Sequence, residues 1–182
     1  MSYSLRTILV GAAVSFALTT LARAADNGPL GIGHVASPSQ IAGWDIDVRA
    51  DGQGLPPGHG SAREGEKIFA ETCAACHGAK GEGKPADQLV GGFDTLATSK
   101  PVRTVGSYWP YASTLFDYIR RAMPFNSPQS LTADQVYAVS AYILYLNNIV
   151  TEDTVLDATS LPRVEMPNRN GLTSPDPRPD VP

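Results

Sequence analysis

Cys73-Ala74-Ala75-Cys76-His77 is the one run in this 182-residue chain whose residue types and spacing support chemistry beyond that of ordinary side chains. Both cysteines of the protein and one of its three histidines fall within it. C-x-x-C-H is the spacing of covalent c-type haem attachment. The two thiols add across the porphyrin vinyl groups from a single helical turn, and the adjacent imidazole is delivered to one axial position of the iron. Other readings explain less. A thioredoxin-like dithiol needs a βαβ context that the flanking sequence lacks. A Cys73–Cys76 disulfide, or an apolar cysteine pair beside a surface histidine, leaves His77 without a role.

A helix must deliver this turn. Ser61 and Glu64 form an S-x-x-E capping box, and Ala62, Ile68, Phe69 and Cys73 recur at helical spacing after it. Gly65 sits four residues before Phe69, where a glycine costs about 1 kcal/mol against alanine, so close passage of another helix is its expected reason. Gly78 to Pro85 follows His77 as a glycine-rich loop without the G-x-x-x-x-G-K-[ST] register of a phosphate-binding loop. Its expected work is to cover one haem face and hold the free nitrogen of His77 on a backbone carbonyl. A second helix is expected over Thr114 to Arg121, ending at Met123-Pro124 because proline cannot continue it. A third begins at a T-x-x-Q capping box, Thr132 and Gln135, with Leu131 and Val136 as a hydrophobic staple. Val136, Val139, Ile143 and Leu146 form its apolar stripe, with Tyr142 and Tyr145 beside it, so this helix should be buried. No two-residue alternation long enough for a sheet appears.

The N-terminus sets the compartment. Arg6, an uncharged apolar stretch from Ile8 to Leu21, and Ala22-Arg23-Ala24 make the pattern of a secretory signal peptide cut after Ala24. The stretch is shorter than the ~20 residues a membrane anchor needs, and no later segment could span. Export to the periplasm and the C-x-x-C-H site support each other, because bacterial c-type haem attachment takes place outside the cytoplasm. Cleavage removes two arginines and leaves twelve basic against eighteen acidic residues, a balance with no general attraction for nucleic acid or anionic lipid. The expected organisation is a signal peptide over 1–24, an N-terminal extension over 25–60 anchored on the core by Trp44, one compact domain over 61–150, and an extended tail over 151–182. Prolines and glycines crowd both flanks.

The ligand opposite His77 decides what the iron does. Methionine sulfur paired with histidine gives a site with a relatively high potential. Met123, in a loop between two helices and stiffened by Pro124, is the expected second ligand. Met166, in the proline-rich tail, is the other methionine, and His34 and His59 are ligands only if the N-terminal extension crosses the open haem face.

Capped helix, C-x-x-C-H, glycine-rich loop, Met-Pro and an aromatic-bearing last helix together resemble the class I cytochrome c fold over residues 61–150. The resemblance implies an all-α fold with extended N- and C-terminal segments, one covalent haem c on Cys73 and Cys76, iron ligation by His77 and Met123, and contact of Gly65 and Phe69 with Tyr142. A narrower likeness runs through Gly43–Arg49, Gly52–Gly58, Val105–Ala112, Asp117–Phe125 and Met166–Arg169. These stretches look like the cytochrome c subunits of bacterial sulfite and sulfane dehydrogenases. That likeness implies a molybdenum-containing dehydrogenase as electron donor. Some members of that group carry two haems, and a single C-x-x-C-H here implies one.

With both axial positions filled, the expected role is one-electron transfer to a downstream cytochrome or oxidase, with no substrate catalysis by this chain itself. A haem enzyme or gas-binding protein with an open sixth position is the alternative, and it requires Met123 to be uncoordinated. The long flanks suggest a further role, clasping a partner or covering the core. Trp44, Trp109 and Tyr111 are candidate interface anchors, with haem-pocket packing the other reading for the last two. The Arg120-Arg121 pair is placed to steer an acidic partner or simply to face water.

Overall fold

The computed structural model describes residues 31–172, so the expected signal peptide lies outside the described residues. Of the described residues, those up to Ile41 and those from Ala42 onward form two separate units. A short helix α1, Pro38–Trp44, runs across that division. Ser37 and Gln40 close a capping box around its start, at 2.8 and 3.3 Å. All of residues 31–41 are exposed.

The larger unit is helical. β1 spans His59–Ser61, α2 Ala62–Thr72, α3 Ala74–His77, α4 Ala112–Ala122, α5 Ala133–Leu146 and β2 Val155–Asp157, followed by a 3₁₀ turn at Leu161–Arg163. Among the described residues no helix is long and apolar enough to cross a membrane. Both expected capping boxes form. Ser61 N–H donates to Glu64 at 2.8 Å while Ser61 Oγ accepts from Glu64 N–H at 3.2 Å. Thr132 and Gln135 repeat the exchange at 2.9 and 3.3 Å. Each box satisfies backbone donors that the first helical turn leaves without intrahelical partners. The helix expected over Thr114 to Arg121 is longer by two residues at its start and one at its end.

α5 is the central element, with every residue from Val136 to Leu144 buried. α2 crosses it where a side chain would not fit. A Cβ on Gly65 would lie 1.9 Å from the Ala138 carbonyl oxygen and 2.8 Å from Tyr142 Cβ. One turn later, Phe69 stacks at a tilt on Tyr142, with ring centroids 5.4 Å apart. The opposite flank of α5 carries Tyr137, whose ring lies 4.4 Å from that of Phe116 on α4 and whose hydroxyl donates to the Pro56 carbonyl at 2.9 Å.

Two expectations need correction. A small sheet does form: β1 and β2 pair antiparallel, with Gly60 opposite Leu156. At three residues each, the strands are too short to show alternation. Burial of Leu156 and the seating of Gly60 on α5 hold them, since a Cβ on Gly60 would meet Ala138 N at 2.3 Å. The second correction concerns Trp44, which is 88% exposed. Val48 takes its place, buried and donating its N–H to Asp117 Oδ1 at 2.8 Å, while Arg120 donates to the Ile46 carbonyl at 3.1 Å. The extension is tied to α4 through its backbone, not by an aromatic plug. After α5 the chain also folds back, and Leu156, Leu161 and Met166 join the main core. Of the two roles expected for the tail, covering the core is the one its described residues show.

Gly65→Ala should therefore lower stability although alanine is the better helix former. Relieving a 1.9 Å approach to backbone costs about 1–3 kcal/mol, which exceeds the ~1 kcal/mol helix-propensity gain. Thermal unfolding of the holoprotein checks it: an unchanged or raised Tm would show that the helices separate freely here.

Candidate functional site

α2 ends at Cys73, whose N–H still donates to Phe69 O at 2.9 Å, and the chain turns directly into the single turn of α3. Cys76 N–H and His77 N–H both bond Cys73 O, at 3.1 and 3.0 Å. The two thiols and the imidazole are thus fixed within one turn. Both cysteines are unpaired, Cys73 half-buried and Cys76 exposed. Burial pushes the Cys73 thiol up, partly offset by its contact with Thr72 Oγ1.

The glycine-rich loop closes on this turn from the C-terminal side. Gly83 N–H donates to His77 O at 2.7 Å and Ala86 N–H to Cys76 O at 2.9 Å. His77 Nδ1 lies 2.8 Å from the Asp87 carbonyl oxygen. A carbonyl only accepts, so Nδ1 is the donor and Nε2 is the ring nitrogen left free of this contact. The expectation of a carbonyl behind His77 holds, with the acceptor two residues beyond the glycine-rich run. Within the loop, Glu82 accepts from Lys80 N–H at 2.7 Å. Its own backbone N–H first, and that of Lys80 next, hold its carboxyl below the usual range.

Met123 forms the C-cap of α4, its N–H bonded to Ile119 O at 3.0 Å, and its half-buried side chain packs on the core. Trp109 is likewise half-buried on the core, edge-on to Tyr118 with ring centroids 5.8 Å apart. Tyr111, the N-cap of α4, lies under the Arg169 guanidinium at 4.8 Å. The other candidates go elsewhere. Met166 is 3% exposed and belongs to the main core. His59 lies in β1 with its N–H on Asp134 Oδ1, and His34 is exposed in the N-terminal unit. The arginine pair is in use within the fold, Arg120 on Ile46 O and Arg121 on Asp117 at 3.0 Å.

Two positioning side chains escaped the sequence reading. Asp117 ties the extension to α4, and Asn147 at the end of α5 bonds the chain around Leu89 and Gly91. Each is a polar residue whose long-range partners have no local signature.

Residues 62–147 match the family model described as cytochrome c. Over 82% of this chain and 74% of the other, the fold superposes with a TM-score of 0.77 and 46% identity on a chain of the crystal structure of the sulfane dehydrogenase SoxCD from Paracoccus pantotrophus. The chain belongs to the cytochrome c family. A thiosulfate dehydrogenase from Psychrobacter arcticus is 32% identical over 82 residues, which are 45% of this cytochrome and 25% of that protein. This cytochrome thus matches about a quarter of the length of that relative.

Membership in the cytochrome c family implies a covalently bound haem c, and the residues present fit one. Two unpaired thiols one turn apart, an imidazole with Nε2 free, and half-buried apolar side chains at Cys73, Ala74, Leu89, Trp109 and Met123 suit a flat, largely apolar group with a metal centre.

The Glu82 carboxylate gives the loop a pH dependence. A lowered folded pKa means its contribution is present above the unfolded value of about 4.3 and is lost as pH falls through the lower folded value. Hydrogen exchange at Lys80 N–H, corrected for the intrinsic rate, should accelerate as pH falls below about 4 in the wild type and show no such step in Glu82→Gln. Equal profiles for the two proteins would remove Glu82 from the loop's support.

Proposed function

We propose that this cytochrome is a periplasmic mono-haem electron carrier that takes single electrons from a molybdenum-dependent sulfite or sulfane-sulfur dehydrogenase and passes them to a downstream cytochrome or oxidase. The observation that carries the reading is the His77 ring, held by Asp87 O with Nε2 free beside two unpaired thiols. It stands in a chain 46% identical to one from a solved sulfane dehydrogenase. Cys73 and Cys76 would hold one haem through thioethers, and His77 Nε2 and the Met123 sulfur would ligate its iron. A haem c so held supplies a one-electron iron couple of relatively high potential.

The chain's own residues orient and protect. Asp87 O fixes the imidazole and makes it a better donor to a metal. The C-cap position of Met123, at the end of a helix anchored on the core, limits where its sulfur can go. If His77 and Met123 both ligate the iron, no ligand position is left for a substrate, and the substrate chemistry would belong to the partner. The signal-peptide pattern over residues 1–24 supports the compartment, and the likeness across residues 43–58, 105–125 and 166–169 supports the kind of partner.

Two experiments test this. Met123→Ala should lose the long-wavelength absorption band of ferric methionine ligation and lower the reduction potential, since thioether ligation holds it high. A band that survives would leave the sixth position to another group. Separately, the cytochrome mixed with a molybdenum-dependent sulfite or sulfane-sulfur dehydrogenase from the same periplasm should be reduced on addition of sulfite or a sulfane-sulfur donor. Reduction by neither donor would refute the assigned pathway.

A further inference from the structure

Asn147 stands at the junction of three segments, one of which holds the imidazole of the haem turn. It is the C-cap of α5 and only 1% exposed. Its side-chain amide donates to Ile143 O at 2.9 Å within the helix and to Leu89 O at 3.2 Å across to the loop. Its Oδ1 accepts from Gly91 N–H at 3.0 Å. The third segment is the turn at Thr104–Ser107. A Cβ on Gly106 would lie 2.1 Å from Asn147 Oδ1, and Val105 N–H donates to the same Leu89 carbonyl at 3.2 Å. Leu89 and Gly91 lie two and four residues beyond Asp87, whose carbonyl holds His77 Nδ1.

From this geometry we infer that Asn147 is a positioning residue for His77. It locks the Leu89–Gly91 backbone to the end of the central helix and so keeps the Asp87 carbonyl on the imidazole proton. The inference rests on the reading above that His77 ligates the haem iron. The Asn147 side chain donates to both Ile143 O and Leu89 O and accepts from Gly91 N–H. A short amide carries two N–H donors and a carbonyl acceptor, whereas a carboxylate has no donor, a hydroxyl has a single proton to give, and an aliphatic group has neither. Asn147 is buried, so truncation leaves Gly91 N–H without its acceptor and Leu89 O held by Val105 N–H alone. The electronic consequence has a definite sign. An imidazole whose Nδ1–H is firmly bonded to a carbonyl is more electron-rich and favours the ferric state. Loosening that bond raises the reduction potential.

The test is NMR of the reduced, diamagnetic holoprotein labelled with ¹⁵N-histidine, together with the reduction potential. In Asn147→Ala the His77 Nδ1–H should exchange with solvent faster by on the order of tenfold or more, as expected for lost buried hydrogen bonds, and the potential should rise. Asn147→Asp keeps the acceptor for Gly91 but loses the donor to Leu89 O, and should shift both readouts the same way. Leu156→Ala, which opens a cavity beneath β2, serves as the control: its Tm should fall while the potential stays at the wild-type value. Unchanged exchange and potential in a folded Asn147 variant, with His77 still coordinated, would overturn the positioning role and leave the proposed function standing. A wild-type protein in which His77 is not coordinated would overturn both. If neither variant folds, the wild type decides. Under increasing denaturant, His77 Nδ1–H and the Gly91 amide should exchange through one shared opening, and separate openings would refute the inference.

Discussion

The position of the haem turn depends on one contact, the passage of α2 over α5 at Gly65. Helix axes usually stand 8–10 Å apart because side chains fill the gap. Here the backbone of α2 lies against the Ala138 carbonyl with no side chain between, and Gly60 of β1 meets the backbone of the same residue. Two glycines five residues apart thus seat one stretch of chain on one point of the central helix. Phe69 on Tyr142 then fixes the rotation of α2 about that point. Cys73 follows Phe69 by one turn, so the direction in which the C-x-x-C-H turn leaves the core is already set.

From there the structure relies on individual polar contacts. The thiol-bearing turn is covered by a loop that has little apolar surface of its own. Its order comes from backbone groups of Cys76 and His77, from the Glu82 carboxylate, and from Asn147 at the end of α5. Asp117 does the same for the N-terminal extension, with its carboxylate shared between Val48 N–H and Arg121. Apolar packing sets where the helices are. A few buried or half-buried hydrogen bonds then set where the irregular chain between them lies.

This division of labour suits electron transfer. A carrier works best when its metal site changes little between oxidation states. Here the imidazole is held from behind by a carbonyl, and the Met123 segment is the cap of a helix with a buried face. The haem turn and Met123, which lies 46 residues beyond His77 in sequence, rest on one core. The folded-back tail adds to the same core through Leu156, Leu161 and Met166, and its Arg169 covers Tyr111 at the start of the helix that leads to Met123.

Local chemistry made much of this legible in the sequence. C-x-x-C-H, the two capping boxes, the proline break after Met123 and the stripe of α5 are each written within a few residues, because covalent attachment, helix initiation and helix termination are short-range events. Gly65 was legible for a related reason, since a glycine inside a helix is costly unless something passes close to it. Other features could not be read this way. Pairing of β1 with β2, burial of Met166 in the core, exposure of Trp44, and the grips of Asp117 and Asn147 all join residues far apart in the chain. Asn147 looks in sequence like the polar end of an apolar helix, and Met166 looks like a second candidate ligand. The sequence by itself determined what chemistry is present and where the helices begin and stop. Only the tertiary structure decided which polar side chains hold the loops and that Met166 is buried in the core, because those depend on contacts across dozens of residues that no local pattern encodes.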